Sequence, residues 1–363
     1  MFGDVYKGRR VLVTGHTGFK GSWLSQWLLE LGAEVAGFSL YLPSSPSNFE
    51  VLGLEHRLRH YVGDIRDAEA VKAAFQEFRP EIVFHLAAQA IVRTSYDEPK
   101  LTFDTNLGGT VNVLEAVRVT PSVRTAVFIT SDKCYENVEW EYGYREDDHL
   151  GGKDPYSASK ACAEIAISSY ARSFLIAEGK RIASTRAGNV IGGGDWAKDR
   201  IVPDCMRAWS SGKAPIVRSP LATRPWQHVL EPISGYLWLG ARLEMGFDGL
   251  VGEAFNFGPR AEVNQPVSRL IDEMRVTWLA PSWEADPAGV GAKAEAGLLK
   301  LCCDKALHRL GWQAVLGFSE TVAMTAQWYK AYYERAEDMV QLTNDQLTEY
   351  ARLGLERGAP WAA

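Results

Sequence analysis

Short apolar runs alternate with longer amphipathic stretches along the first half of the chain. Val11-Leu12-Val13 follows Arg9-Arg10 and suits a strand buried on both faces. Trp23, Leu24, Trp27, Leu28 and Leu31 then recur at helical spacing and predict a helix with one apolar side. Glu34–Leu40 is the expected second strand, and a third ends near Val62-Gly63-Asp64. Asp67 is placed to cap a helix that reaches Phe78. Glu81–Gln89 reads as the fourth strand. It leads to a long helix with Pro99 near its start and Asn106, Gly109, Val113, Leu114 and Val117 along it. Ala126–Ile129 is the fifth strand, a helix continues to about Ile176, and Ile182–Arg186 is a further strand. This alternation predicts an α/β fold, a doubly wound parallel sheet of the Rossmann type.

The pattern changes after Gly188. Ile201–Ser211 and Ala214–Arg218 read as elements of a smaller domain, whereas Glu253–Gly258 reads as a strand returning to the main sheet. The expected division is 1–187 for a dinucleotide-binding domain, with returning segments near 226–260. An interleaved substrate domain spans 188–345 and a charged tail 346–363. Leu298–Cys302 is a further strand candidate, Phe318–Tyr333 a helix, and no internal repeat is present.

Composition narrows the classes of function. The chain has 363 residues, 46% of them hydrophobic, which is enough for a large core. Its net charge of −6 argues against a nucleic-acid binder, which would carry a basic face. Five scattered cysteines, Cys134, Cys162, Cys205, Cys302 and Cys303, suit neither a disulfide framework nor a zinc site. No run approaches the roughly 20 apolar residues of a membrane span, and nothing near Met1 resembles a signal peptide. The expectation is a soluble cytoplasmic protein without bound metal.

Three stretches carry chemistry. Gly15, Gly18 and Gly21 lie between the first strand and first helix, where backbone N–H groups and a helix N-terminus hold a pyrophosphate. The spacing is G-x-x-G-x-x-G rather than the G-x-G-x-x-G of the general fingerprint. Ser39 stands where NAD enzymes carry an acidic ribose ligand, and no Arg follows until Arg57 to meet a 2′-phosphate, so NAD is favoured over NADP. Asp64 is a candidate partner for an adenine amino group, and His85, inside an apolar run, reads as a core histidine. The candidate cofactor contacts are Gly15, Thr17, Gly18, Phe19, Gly21, Ser39, Asp64, Ile65, Ala87, Ala88, Gln89, Tyr156 and Lys160.

The strand ending at Ile129 delivers Ser131, Asp132 and Lys133, and Tyr156 and Lys160 follow at i and i+4 of a helix. A Tyr of pKa about 10 becomes a usable base when an ammonium and a cationic ring favour its phenolate. Ser131 can hydrogen-bond the same substrate oxygen. A simple alcohol dehydrogenase needs no further acid–base pair, so Asp132 and Lys133 point to elimination. Oxidation of a hexose at C4 acidifies the C5 proton and leaves the C6 hydroxyl β to the ketone. Asp132 then suits the acid and Lys133 the base, provided its ammonium pKa of about 10.4 is lowered.

The chain resembles the extended short-chain dehydrogenase/reductase family, and within it the branch that dehydrates CDP-glucose. VTGHTGFKGSWL, GDIRD, FHLAAQ, ITSDKCY, GGKDPYSASK, RAGNVIGGGDWAKDRIVPD and RPWQHVLEPISGY carry the resemblance, which runs from about Gly8 to Phe318–Tyr333. It implies tightly held NAD, CDP-4-dehydro-6-deoxy-D-glucose and water as products, a role in bacterial O-antigen (lipopolysaccharide) deoxysugar formation, and a dimer or tetramer. The related dTDP-glucose and GDP-mannose dehydratases carry Glu where this chain has Lys133. Asn189 and Arg224 match family positions that contact the substrate diphosphate, with Arg200 and Lys198 as further candidates. Two departures are Cys302, where Asp is expected, and Lys293–Ala296, where a His is expected before the Glu. Alternatives are a dTDP- or GDP-sugar dehydratase, an epimerase or reductase on the same fold, and a non-catalytic NAD-binding regulator.

Overall fold

The computed structural model describes residues 1–197, 200–260, 263–286, 298–336 and 338–363. Within β1 (Arg10–Thr14), Val11 and Val13 enter one core and Leu12 the other, as strand periodicity requires of a doubly covered sheet. The same division holds in β4 (Ile82–His85), where Ile82 and Phe84 face one way and Val83 the other. With β2 (Glu34–Ser39), β3 (Arg59–Val62), β5 (Thr125–Ile129), β6 (Arg181–Ala187) and β7 (Ala254–Phe257), these form a seven-stranded sheet ordered β7-β6-β5-β4-β1-β2-β3. Every pairing in it is parallel. The strand order reverses beside β1 and β4, which opens a crevice beyond their C-terminal ends.

Helix α1 (Phe19–Glu30) leaves the first turn, and α2 (Ala68–Phe78) starts at Asp67, whose side chain accepts from the Glu69 and Ala70 N–H groups as expected of a cap. The long helix expected after β4 is broken into Val92–Asp97, Pro99–Phe103, a π-turn over Asp104–Gly109, and α3 (Thr110–Val119). Helix α4 (Pro155–Tyr170) carries the Tyr-Lys pair and α5 (Leu230–Glu244) crosses the opposite face. Both α3 and α4 cover the core that holds Leu12, and α5 covers the one that holds Val11. β7 pairs with β6, so the chain does return to the main sheet after 188.

One expected strand does not form. Leu298–Cys302 forms only a bridge, Tyr144 with Leu301, rather than a strand. The Lys293–Ala296 departure and Lys198 lie outside the described residues. The C-terminal part is helical: α6 (Phe318–Glu334) is followed by α7 (Met339–Glu356), and Trp361 is fully buried. Trp361 stacks on Phe2 at 5.4 Å and on Tyr350 at 5.3 Å, and its carbonyl accepts from the Phe2 N–H at 2.7 Å. This C-terminal cover also reaches the polar side of α1, where Gln26 donates to Asn344 of α7 at 2.7 Å.

Candidate active site

The first turn is built by close approach. Gly15 has φ +75°, and a Cβ there would lie 2.7 Å from the Ala87 nitrogen at the end of β4. A side chain on Gly21 would collide with the Gly15 carbonyl, and Gly18 caps α1. Only glycine lets these three pieces of backbone meet. Thr17 sits in the same turn, its hydroxyl donating to the Tyr41 carbonyl at 2.9 Å. Phe19 and Lys20 open the helix.

The adenosine-side candidates are engaged within the chain. Ser39 Oγ meets His16 Nδ1 at 2.9 Å, and His16 Nε2 meets His60 Nδ1 at 2.7 Å. Burial, with His60 alongside, lowers the His16 pKa to about 3. Both Asp64 oxygens accept from Arg66, one from its N–H at 2.9 Å and one from its guanidinium. The Ile65 carbonyl accepts from Asn112 at 2.9 Å. β4 ends at His85, earlier than the expected strand, so Ala87, Ala88 and Gln89 follow it outside the sheet. The Gln89 side chain donates to Thr102 at 2.9 Å and accepts from the Ile91 N–H at 2.6 Å. Asn106, in the π-turn, accepts from the Gln89 N–H at 2.8 Å and donates to Ser159 at 2.9 Å. That link ties the β4 end to α4, and π-turns of this kind cluster at functional sites. His85 is a satisfied core residue, held by Thr14 at 2.7 Å and Thr110 at 3.0 Å.

Beyond β5 the chain enters a single 3₁₀ turn, Asp132–Cys134, capped by Ser131, whose Oγ accepts from the Lys133 N–H at 3.2 Å. Asp132 Oδ1 accepts from Ser131 Oγ at 3.0 Å and from Lys133 Nζ at 3.3 Å. Oδ2 faces Gly188, where a Cβ would come within 3.1 Å. Asp154 caps α4 and accepts from Ser157, and so fixes the helix that presents Tyr156 and Lys160. Burial raises the Tyr156 pKa, and the Lys133 ammonium, followed by a hydrogen bond to Ser131, opposes the rise. The foremost cation acting on Tyr156 is therefore Lys133 rather than the helix partner Lys160. Burial lowers the Lys160 pKa to about 8 against Glu164 and Cys134, which raise it. Lys133 does not show the lowered pKa expected of a base. Burial opposes its charge, but Asp132 and Tyr156 outweigh burial and hold its pKa above the ordinary lysine value.

Asn189 accepts from Lys133 at 3.5 Å, and the Arg224 charge also reaches Lys133, so both diphosphate candidates border the cluster. Arg200 donates to buried Asp195 at 2.7 Å, and its charge reaches Tyr156. Cys302 and Cys303 are used by backbone: the Cys302 N–H donates to Tyr144 at 2.9 Å, and Cys303 Sγ accepts from the Gly258 N–H at 3.1 Å. Two groups went unassigned in the sequence. Lys20, in the first turn of α1, faces Asp132, Lys133, Lys160 and Arg200, and burial lowers its pKa to about 8. Glu164 lies one turn beyond Lys160 and binds Arg186 at 2.8 Å. Position in the motif and the i+4 step were the only signals for either. Among the described residues no cluster suits a metal ion, and no helix is long and apolar enough to cross a membrane.

Residues 12–325 match the family model described as GDP-mannose 4,6 dehydratase. The chain is 47% identical over 353 residues to the CDP-glucose 4,6-dehydratase of Salmonella typhimurium, covering 96% of this chain and 97% of that protein. Among solved structures, the UDP-glucose 4-epimerase of Thermus thermophilus in complex with NAD superposes with a TM-score of 0.74 at 27% identity, covering 90% of this chain and 100% of that one. The dTDP-glucose 4,6-dehydratase DesIV of Streptomyces venezuelae, with NAD and TYD bound, shares the fold with a TM-score of 0.74 at 23% identity, over 91% and 99% of the two chains. A glycine turn packed on β4, a Tyr-Lys helix and a family match along most of the sequence agree: this chain belongs to the GDP-mannose 4,6 dehydratase family of extended short-chain dehydrogenases/reductases.

Proposed function

We propose that this chain dehydrates CDP-D-glucose to CDP-4-dehydro-6-deoxy-D-glucose and water with NAD as a restored cofactor. The observation that carries the reading is the convergence of Ser131, Asp132 and Lys133 on the Tyr156 hydroxyl. The cradle of Gly15, Gly18 and Gly21 against Ala87 fits a pyrophosphate approached by backbone, and Lys160 would lie at the nicotinamide end. NAD, when bound, supplies a hydride acceptor for C4 and a hydride donor for C6. Identity of 47% to a CDP-glucose 4,6-dehydratase, together with Lys133, supports the cytidine nucleotide over dTDP and GDP sugars.

Tyr156 takes the proton of the C4 hydroxyl while Ser131 holds that oxygen. Elimination then breaks the C5–H and C6–O bonds: one proton goes to a base, one is delivered to the departing hydroxyl, and water leaves; the balance closes when the same base gives a proton back to C5 as hydride returns to C6. Asp132 suits the donor, with its proton on Oδ2, because Oδ1 already accepts from two groups. Lys133 suits the base only in step with that proton. Asp132 is the foremost group that raises the Lys133 pKa, so neutralising it frees the amine. Moving one proton from Nζ to the carboxyl group therefore creates acid and base together. Asn189, Arg200 and Arg224 are the proposed diphosphate contacts.

The reading extends to deoxysugar supply for O-antigen and to a cytoplasmic setting, supported by five free thiols. It also extends to a homodimer through α3 and α4, where Ile165 and Val119 are exposed. Incubation with CDP-glucose in deuterated water, beside dTDP-glucose and GDP-mannose, tests the reading. The expected result is a 4-keto-6-deoxy product from CDP-glucose with deuterium at C5. Conversion without that label, or a C4 epimer as product, would favour an epimerase or reductase and sink it.

A further inference from the structure

Tyr156, Lys160 and Glu164 follow one another at i, i+4 and i+8 along α4, and all three are buried. The outer member is unusual. Glu164 accepts from Ser184 at 2.8 Å, from Arg186 Nη2 at 2.8 Å and from the Thr130 hydroxyl. Arg186 is 4% exposed and turns its other terminal nitrogen to the Tyr135 hydroxyl at 2.8 Å and the Glu146 carbonyl at 2.9 Å. Tyr135 in turn donates to Asn256 on β7 at 2.8 Å. A pair this deep costs desolvation that an apolar pair of similar size would avoid. Its position one helical turn behind Lys160 supplies a reason for the charge.

We propose that Glu164 is the positioning residue of the Tyr156–Lys160 pair: its carboxylate, fixed by Thr130, Ser184 and Arg186, is the counter-ion that keeps the Lys160 ammonium charged in a dry site. Other groups reach Lys160 from the elements packed on α4. His85 on β4 is buried and neutral, Cys134 comes from the turn after β5, and Lys20 reaches across from α1. Glu164 is the foremost group that opposes burial at Lys160, and the Lys160 charge in turn lowers the Lys20 pKa. Lys160 sits near pH 8, so its charge is sensitive to that one carboxylate. Loss of Glu164 lowers the Lys160 pKa further and leaves a larger fraction of the amine neutral at working pH. The inference rests on the dehydratase reading for its consequence in catalysis but not for its test.

The test titrates Lys160 directly in the full-length protein by trace acetylation with acetic anhydride across a pH series, read by mass spectrometry. Glu164→Gln is expected to lower the Lys160 midpoint by about one pH unit or more, a tenfold change in the charged-to-neutral ratio. The alkaline limb of the CDP-glucose rate profile should move by the same amount. Thr130→Val and Ser184→Ala each remove a donor but keep the charge, and should leave the midpoint in place. If Glu164→Gln fails to fold, Glu164→Gln/Arg186→Gln removes the whole buried pair and should lower the midpoint in the same direction but by less, because the Arg186 cation that opposes the Lys160 ammonium goes with it. An unchanged midpoint in the folded variant, or an equal shift in Thr130→Val, overturns the proposal. Because the labelling needs no substrate, a wild-type protein inactive on CDP-glucose would defeat the proposed function and leave this result standing.

Discussion

Replacing Glu231 with Gln should remove a defined part of the pH dependence of folding. Glu231 lies in the first turn of α5, fully buried. Its carboxylate accepts from the Val315 N–H at 3.0 and 2.9 Å, the Leu316 N–H at 2.6 Å and the Tyr350 hydroxyl at 2.8 Å, so one side chain joins α5, α7 and the segment before α6. Burial raises its pKa from 4.5 to about 7, against those same donors, which favour the charged form. Between those values the folded state binds more protons than the unfolded one. The stability due to the neutral acid is therefore complete below pH 4.5 and lost as pH rises through 7. The separation corresponds to about 3 kcal/mol. Gln keeps an oxygen for the two N–H donors, and its amide can donate to Tyr350, which is already bonded to Ser234 at 3.1 Å. Urea unfolding of both proteins at a series of pH values, followed by tryptophan fluorescence, measures the difference. Trp312 bonds Ser234 at 3.0 Å and reports on this cluster. The stability of Glu231→Gln relative to wild type should rise by about 3 kcal/mol from pH 4.5 to above 7. Parallel curves for the two proteins would refute the reasoning.

Tyr156→Phe keeps the ring and removes the hydroxyl, and turnover of CDP-glucose should fall by about 10²–10⁴-fold with little change in melting temperature. Activity within tenfold of wild type would place the C4 base elsewhere. Lys133→Met should abolish exchange of the C5 proton with deuterated water. Persistent exchange would reduce Lys133 to a charge acting on Tyr156. Gly15→Ala puts a Cβ at φ +75° and 2.7 Å from the Ala87 nitrogen, so NAD affinity measured by calorimetry should drop at least about tenfold. Unchanged affinity would show that the turn does not hold the pyrophosphate.

The parallel sheet was legible because it is written at short range. Val11–Val13, Ile82–Phe84 and Ala126–Ile129 are apolar on consecutive positions, and only a strand covered on both faces uses such runs. The chemistry was legible for a related reason: Ser131, Asp132 and Lys133 are adjacent, Tyr156 and Lys160 are one helical turn apart, and the glycines mark a backbone turn. Partnerships between distant residues were not. Ser39 is held by His16, which stands in the turn before α1, so a position read as open to cofactor is engaged within the chain. Lys133 looked like an amine awaiting a lowered pKa, yet its environment raises it, because the balance of burial against Asp132 and Tyr156 exists only once the turn after β5 is packed against α4. Asn106 gained its role from a π-turn, which no residue pattern announces. The residues read as a charged tail hid the end of α7, whose inward Tyr350 finds its partners on α1 and α5. Period and motif are local properties of a chain. Which face is covered, and which charge meets which, depends on contacts hundreds of residues apart in sequence, and those arise only when the sheet has brought them together.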